Sequence, residues 1–388
     1  MLPGGFCETL EDMSAAGREL PESMPIRKDN FAGRTFEERM PLMIQDVLSR
    51  SGWSPEVRER LEVLSASLPR GPLPTLLVES ELDGEFWQSA RLSHEGLTWD
   101  ALPFFEAETV FHFALLNATG YQGEATCDPF AEAKREGFEA GLPAAQKWAE
   151  REQSDRSEGL SLALELSLWG NLHDLSFQRR GDGRELIVDD RRNALELLDG
   201  ANMVDITLDN AGSELTCDLL ACDVLLRGGK KVRLHHKPRP FFISDATEGD
   251  VRWTIGELLK RGVGPLRAIG ERLGRALEGG LLELRTDAFW CRPLHLTNMP
   301  GELRADIGRA DVLVLKGDLN YRRIIEDRLY PFDTPAAAAG PTGFPPLVAL
   351  RVLKSEVLVG LERGRAEELD AAHPGWLTSG ETAVIQVF

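Results

Sequence analysis

Apolar residues recur at helical spacing through the first half of the chain. The clearest such segments are 36–50, 55–68 and 102–121, and the pattern continues to about residue 171. Recurrence at intervals of three and four residues places the apolar side chains on one face of a helix. The first half of the chain is therefore predicted to be all-helical.

The pattern changes near residue 183, where short apolar runs begin to alternate with helical segments. Runs typical of strands lie at 185–190, 201–210, 230–236, 280–287, 311–318, 345–353 and 382–388. Strands separated by helices predict a mostly parallel sheet. The expected fold class is α/β, in which a mostly parallel sheet sandwiched by helices (α/β/α) follows an all-helical N-terminal region. The expected domains are a helical N-terminal domain, 1–180, and an α/β metal- and substrate-binding domain, 181–388.

The chain is strongly acidic, with 44 basic against 63 acidic residues and a formal charge of −19. Such a charge disfavours nucleic acid and anionic membranes as partners, since both are bound by basic faces. It still allows a small anionic ligand, because a local group of cations outweighs a distant acidic surface. No stretch approaches the ~20 apolar residues of a membrane span, and no leader segment is expected at the N-terminus.

The cysteines and paired histidines show no zinc motif. The five cysteines are odd in number and form no CxxC pair, so no disulfide framework is indicated. Cys217 and Cys222 lie in an apolar helical stretch and are predicted to be small core residues. His235 and His236 are interpreted as structural, because neighbours on a strand point to opposite faces. A reducing, cytoplasmic location is the simplest interpretation.

Carboxylates close three apolar runs in the second half of the chain, and each run is interpreted as the end of a strand. ITLDN carries Asp209 and Asn210, FISDA carries Asp245, and VLKGDLNYR carries Asp318. Because ligands of open α/β sheets bind outside the carboxyl ends of the strands, these side chains are expected to share one pocket. Hard oxygen ligands suit Mg²⁺ or Mn²⁺ better than Zn²⁺. The alternative is that each is an ordinary turn residue or helix N-cap.

The string DNAGSE (209–214) is the most informative of these endings. Its Ala-Gly pair allows a tight turn into a helix that starts near Ser213. The N-terminus of that helix then faces whatever Asp209 and Asn210 bind, which favours an anion such as phosphate. Glu214 either hydrogen-bonds a substrate hydroxyl or complements the helix dipole. Neither GxGxxG nor GxxxxGK[ST] is present, so dinucleotide and triphosphate loops are not indicated.

Basic residues downstream provide the charge that a phosphate requires. Lys316 and Arg322 flank Asp318, and Arg351 and Lys354 lie near the end of the apolar run 345–353. Arginine grips a phosphate bidentately, whereas lysine acts as a point charge. The alternative for each is a solvated surface cation.

Six strings occur in a specific order and spacing. They are CDPFAEAKREG (127–137), LWGNLHDLS (168–176), LDNAGSE (208–214), HHKPRPFFISDAT (235–247), KGDLNYRR (316–323) and LRVLKSEVLVGL (350–361). In this order they resemble the DUF89 proteins, and in particular the damage-control phosphatase branch that includes the acidic-residue methyltransferase 1 proteins. Members of that branch are similar to metal-dependent phosphatases that act on sugar phosphates such as fructose 1-phosphate and fructose 6-phosphate.

The resemblance implies a divalent metal, often manganese, cobalt or nickel, held by Asp209, Asn210 and Asp245. Lys354 belongs to a motif that reads Arg-Thr-x-Lys in the family and Arg351-Val352-Leu353-Lys354 here, so valine replaces threonine. Substrate contacts are implied for Glu214, Asp318, Leu319, Asn320, Tyr321, Arg322 and Lys354, with Arg351 beside them. Asn171 is the candidate contact from the helical region, and a helix C-terminal residue is its alternative interpretation.

The expected function is a metal-dependent phosphomonoester hydrolase acting on a small phosphorylated metabolite. The metal polarises the phosphate and activates water, Lys354 with Arg322 or Lys316 neutralises the phosphate oxygens, and Asp209 or Asp245 orients the water. One alternative is an S-adenosylmethionine-dependent carboxyl methyltransferase, for which the α/β region starts with no convincing glycine-rich loop. The other is a non-catalytic protein that binds metal and sugar phosphate.

Overall fold

The computed structural model describes residues 20–50, 52–76, 84–121, 128–151, 156–170 and 184–388. Within these ranges seven strands form a single sheet. The strands are β1 (Glu185–Asp189), β2 (Met203–Thr207), β3 (Lys231–His236), β4 (Leu282–Thr286), β5 (Val312–Lys316), β6 (Leu347–Val352) and β7 (Thr382–Val387).

Across the sheet the strands follow the order β1-β7-β6-β5-β2-β3-β4. Neighbouring strands are parallel, except that β6 and β7 are antiparallel. The chain runs outward from β2 through β3 to β4 and then returns to β5 and β6 on the other side of β2. This reversal creates a topological switch point between β2 and β5, which is where open α/β sheets bind ligands. The predicted fold class is confirmed.

Helices cover both faces of the sheet. In the described residues they are α1 (Phe31–Arg34), α2 (Met40–Ser49), α3 (Pro55–Ser67), α4 (Gly84–Ser93), α5 (Phe104–Ala118), α6 (Ala131–Glu150), α7 (Arg156–Trp169), α8 (Arg191–Gly200), α9 (Ser213–Arg227), α10 (Glu248–Arg261), α11 (Pro265–Glu278), α12 (Gly301–Ile307), α13 (Gly317–Ile324), α14 (Ala336–Ala339) and α15 (Arg365–Ala372). A π-helix, Thr35–Arg39, joins α1 to α2. None of the described helices is both long enough and apolar enough to cross a membrane.

Two hydrophobic clusters divide the core between the faces of the sheet. Along β5, Leu313 and Leu315 belong to one cluster, whereas Val312 and Val314 belong to the other, as alternating side chains must. Helices α2, α3 and α5 pack in the first cluster, and α6 to α11 pack in the second. Helices from the predicted N-terminal domain therefore contribute to both clusters. The division at residue 180 stays a prediction.

Residues that the sequence assigned to the core lie there. Cys217 and Cys222 are buried in α9 with their thiols free. His235 and His236 are buried in β3, and His235 Nε2 lies 3.0 Å from Asp205 Oδ2. These histidines thus have structural partners inside the protein.

Close packing of α6 against the start of α9 gives the first testable prediction. A Cβ on Gly141 would lie 2.6 Å from Ser213 Cβ, whereas a Cβ on Gly256 of α10 would meet nothing within 4 Å. We expect Gly141→Ala to lower the free energy of unfolding by about 1–3 kcal/mol, because the helices must separate. Gly256→Ala is the control and should leave that free energy unchanged or raise it by up to about 1 kcal/mol. Urea denaturation measures both, and equal effects would contradict the packing.

Candidate active site

The segment after β2 carries the first two expected metal ligands. Asp209 and Asn210 lie just beyond the carboxyl end of the strand. The chain then turns at Gly212, whose φ of 76° is one that favours glycine. It enters α9 at Ser213, where the sequence predicted a helix start. The helix N-terminus therefore faces the same edge of the sheet as the Asp-Asn pair.

Asp245 lies on a loop, which corrects the expectation that FISDA ends a strand. Strand β3 ends at His236. The loop that follows passes through positive φ at Phe242 (47°) and Ile243 (66°). Such backbone is uncommon for residues other than glycine and is found at functional sites where the surroundings enforce it. The apolar run is thus a strained turn that redirects the chain.

Backbone contacts join this loop to the segment after β2. Asn210 and Asp245 form an antiparallel bridge, and the N–H of Ala246 donates to the carbonyl of Asp209 at 2.8 Å. Lys237, at the start of the loop, brings its Nζ to 2.9 Å from Asp245 Oδ2. The three expected metal ligands therefore lie together, on two loops that hold each other in place.

The amide of Asn210 is held from three sides. Its Nδ2 donates to Asp209 Oδ2 and to Glu214 Oε2, both at 2.9 Å, and its Oδ1 accepts from Ser244 Oγ at 2.5 Å. The other oxygen of Glu214 accepts from Lys316 Nζ at 3.0 Å. Glu214 is buried and is held between Asn210 and Lys316. Its expected contact with substrate stays a prediction.

Burial disfavours the charged form of both carboxylates of this site. Burial raises the pKa of Asp209 and of Asp245, and the charges of Glu214 and Asp245 raise that of Asp209 further, against the opposing effect of nearby lysines. A Cβ on Gly317 would lie 2.1 Å from Asp209 Oδ2, so glycine leaves room for the carboxylate. Two carboxylates and an amide oxygen suit a hard divalent cation. In the described ranges, no group of three or more His, Cys, Asp or Glu is arranged to hold a metal, so the amide completes the set.

Asp318 organises the segment after β6. Its Oδ1 accepts from Arg351 Nε at 2.8 Å, from the Lys354 N–H at 3.2 Å and from Ser355 Oγ at 3.1 Å. Burial alone would raise the pKa of Asp318, but Arg351 and Arg322 outweigh it and hold the pKa below its ordinary value. The side chain of Lys354 lines the pocket. The described residues offer that side chain no hydrogen-bond or ion-pair partner.

Arg322 also lines the pocket, but its charge is already offset. Its Nε and one terminal nitrogen donate to the two oxygens of Asp327 at 2.7 and 3.0 Å, and the other terminal nitrogen donates to Glu108 at 2.5 Å. The guanidinium lies over the ring of Phe104, 4.5 Å from its centroid. Two carboxylates thus share one cation, which leaves Arg322 little net charge for a phosphate.

Several expected site residues lie beneath the pocket. Asn320 and Tyr321 are fully buried. Asn320 Nδ2 donates to the carbonyl of Lys316 at 2.8 Å, and the Tyr321 hydroxyl donates to Gln386 Oε1 at 2.8 Å. Lys316 is 1% exposed and is enclosed with acidic partners of α9. Of the residues from 318 to 322, the structure brings Asp318, Leu319 and Arg322 to the pocket.

The N-terminal helices form a wall of the pocket that no sequence motif identified. His112 of α5 stacks on Phe242 with ring centroids 3.9 Å apart, and burial lowers the pKa of His112 to about 3. Asn171, the sequence candidate from this region, lies outside the described residues. The lining residues that this wall supplies include Thr35, Arg39, Met40, Met43, Glu108 and His112.

Comparison with solved structures defines the class of fold. The chain is similar to the crystal structure of a DUF89 family protein from Pyrococcus horikoshii, with a TM-score of 0.50 over 94% of this chain and 99% of that chain. Sequence identity is 15%, so this likeness bears on the fold alone.

Comparison of sequences identifies the family. The model of the damage-control phosphatase ARMT1-like domain matches residues 35–369. The damage-control phosphatase ARMT1 of Xenopus laevis is 29% identical over 360 residues, covering 80% of this chain and 82% of the relative. That of Xenopus tropicalis is 31% identical over 301 residues, covering 67% and 68%. The chain belongs to the damage-control phosphatase ARMT1-like family, which confirms the resemblance to DUF89 proteins.

The space that Gly317 leaves for Asp209 is open to test. Gly317→Ala places a Cβ against the carboxylate at a φ of 85°, whereas Gly364→Ala meets nothing at a φ of 86°. Both substitutions strain the backbone by about 1–2 kcal/mol, so Gly364→Ala is a matched control. We expect the free energy of unfolding to fall by at least about 1 kcal/mol more in Gly317→Ala, because Asp209 must move. Equal losses in chemical denaturation would contradict the close approach.

The ion pair of Asp318 with Arg351 predicts a pH dependence. Because the pKa of Asp318 in the folded protein lies below its ordinary value of 3.8, its stabilisation is complete at neutral pH and is lost as the pH falls through the folded value. Asp318→Asn should lower the free energy of unfolding by about 3 kcal/mol at pH 7, since Arg351 stays buried without its carboxylate. The difference from wild type should shrink below about pH 4. Denaturation at several pH values measures it, with the exposed Asp333→Asn as control, and a constant difference would contradict it.

Proposed function

We propose that the protein is a divalent-metal-dependent phosphatase of small phosphate monoesters, with sugar phosphates such as fructose 1-phosphate and fructose 6-phosphate as the expected substrates. The proposal depends above all on the meeting of Asp209, Asn210 and Asp245 at the switch point of the sheet, on a pocket that Lys354 also lines. Membership of the damage-control phosphatase family supports a metabolite phosphatase. The oxygen donors of the site support the metal dependence, and the resemblance to the family branch supports a sugar phosphate as substrate.

The two carboxylates and the amide oxygen would hold the metal. Manganese, cobalt, nickel and magnesium all accept such oxygen donors. A divalent ion there supplies Lewis acidity toward a phosphate oxygen and activates water. Lys237 fixes Asp245 through the contact at 2.9 Å, and Ser244 fixes the oxygen of Asn210. The protein thus holds its donors in position before any ion binds.

Lys354 is the residue best placed to bind the reacting phosphate. It acts electrostatically on Asp209, which puts its charge near the metal ligands. Its backbone is held by Asp318, while its side chain faces the pocket without an acidic partner among the described residues. A cation in that position neutralises the negative charge that phosphoryl transfer spreads over the non-bridging oxygens. Asp209 or Asp245 then orients the attacking water.

We also propose a reducing, cytoplasmic location. Cys217 and Cys222 are buried with free thiols. Burial raises the pKa of Cys217 to about 12, so this residue behaves as a small apolar core residue rather than as a reactive thiol.

A phosphatase screen tests the proposal directly. Purified protein is stripped with EDTA, reloaded with Mn²⁺, Co²⁺, Ni²⁺ or Mg²⁺, and assayed for phosphate release from a panel of sugar phosphates. We expect release that requires a metal and that falls at least about 1,000-fold in Asp245→Asn, because the metal loses a charged ligand. Lys354→Met should reduce kcat/KM by about 100-fold, since one charged contact to the phosphate is removed. Asp333→Asn, on the exposed surface, is the matched control.

Two outcomes would count against this function. Phosphate release that EDTA leaves unchanged would exclude the metal. Methyl transfer from labelled S-adenosylmethionine, without phosphate release under any metal, would favour the carboxyl methyltransferase instead. Circular dichroism of each variant shows whether a loss of activity reflects a loss of fold.

A further inference from the structure

Arg39 is a cation of the pocket that the proposed chemistry leaves unused. Of the cations that line the pocket, Arg322 is offset by Asp327 and Glu108, and Lys354 lies near Asp209. No carboxylate among the described residues lies within ion-pairing distance of Arg39. In a chain with 63 acidic residues and a charge of −19, a pocket-lining arginine that forms no ion pair with the described residues is available to a ligand.

The backbone around Arg39 is specialised. Arg39 is the last residue of the π-helix, and Thr35 is the first. Both line the pocket. Short π-helical segments interrupt α-helices mostly at functional sites, because the extra residue in the turn changes which side chains face inward. The Thr35 hydroxyl is buried and has no hydrogen-bond partner within the described part of the chain.

Arg39 and Lys354 act on different parts of the pocket. Lys354 and Lys237 are the cations that oppose the raised pKa of Asp209. Arg39 instead lines the pocket from the wall that the N-terminal helices form, together with Thr35 and Met40. A phosphate between the metal ligands and Lys354 would therefore leave Arg39 facing the organic part of the same substrate.

We propose that Arg39 determines specificity by binding a second anionic group, a phosphate or a carboxylate, on the organic part of the phosphate monoester. A guanidinium suits both groups, because its paired N–H donors match two oxygens of either. Without such a contact, a doubly anionic substrate is disfavoured by the net charge of the protein. The inference depends on the proposed function, and it adds to the expected sugar phosphates those phosphate monoesters that carry a second negative charge.

The test compares one variant across three substrates. These are fructose 1-phosphate, with an uncharged tail, fructose 1,6-bisphosphate, with a second phosphate, and 6-phosphogluconate, with a carboxylate. The measured quantity is the kcat/KM of each doubly anionic substrate divided by that of fructose 1-phosphate. In Arg39→Met this ratio should fall about tenfold, because a charge-assisted contact to the organic part is lost. The fall should come mainly from a higher KM for the doubly anionic substrates. Arg39→Lys should restore part of the ratio. The control is Arg50→Met just after α2, where Arg50 pairs with Asp46 on the surface, and it should leave the ratios unchanged.

The outcomes separate this inference from the function on which it depends. A fall in the ratio for one of the two tails identifies phosphate or carboxylate as the preferred group. Equal losses on all three substrates would place Arg39 on the reacting phosphate and overturn the inference, as would unchanged ratios. If wild type releases no phosphate from any compound, the proposed function fails. In that case, the inference is tested by calorimetric binding of the same three compounds to wild type and to Arg39→Met. Tighter binding of the doubly anionic compounds to wild type, lost in Arg39→Met, supports the inference. Equal affinities of the two proteins for all three compounds overturn it.

Discussion

The backbone bridge between Asn210 and Asp245 is the contact on which the rest of the site depends. Loops that follow neighbouring strands are close in any parallel sheet, but closeness alone does not orient two side chains toward one point. Here the hydrogen bond from the N–H of Ala246 to the carbonyl of Asp209 fixes the distance between the loops, and strained backbone at Phe242 and Ile243 turns the chain toward Asp245. Carboxylates that repel each other are thus held together by main-chain hydrogen bonds.

Distribution of charge around the pocket explains which side chains are available to a ligand. Most of the buried cations already have acidic partners: Arg322 has two, and Lys316 has two. The two charges of such an ion pair cancel each other inside the protein, so the pair serves mainly a structural role. Groups with unbalanced charge are the ones that a ligand can satisfy. By that criterion the pocket has an anionic end at Asp209 and cationic positions at Lys354 and Arg39.

The sequence predicted the fold and the meeting of Asp209, Asn210 and Asp245 well, for a physical reason. Strand spacing and the DNAGSE turn are local features, and the rule for open α/β sheets converts them into a location in space. The site residues that the sequence does not identify owe their roles to contacts between distant parts of the chain. Lys237 was not identified, because its importance lies in reaching Asp245 across a loop. The availability of Lys316 and Arg322 was overestimated, because a sequence does not show which acids surround a cation.

The wall from the N-terminal helices was missed for a similar reason. Nothing in the local pattern distinguishes Arg39 from other arginines on amphipathic helices, since its role follows from the π-helical turn and from docking against α5. In sequence, the strained FISDA turn looks like the end of a strand, because its apolar residues fit a short strand equally well. Local periodicity identifies elements, but tertiary packing decides which of their residues meet.

One consequence concerns how the pocket is assembled along the chain. Its lining extends from Phe31 to Lys354. Phe31 lies in α1 and packs in the same hydrophobic cluster as α2 and α5, on one face of the sheet. A molecule bound in the pocket therefore ties the beginning of the chain to strands that are synthesised much later. Ligand binding stabilises only states in which both parts are docked. Occupancy of the pocket should thus protect the N-terminal helices from local opening and proteolysis, far beyond the few residues that the ligand touches.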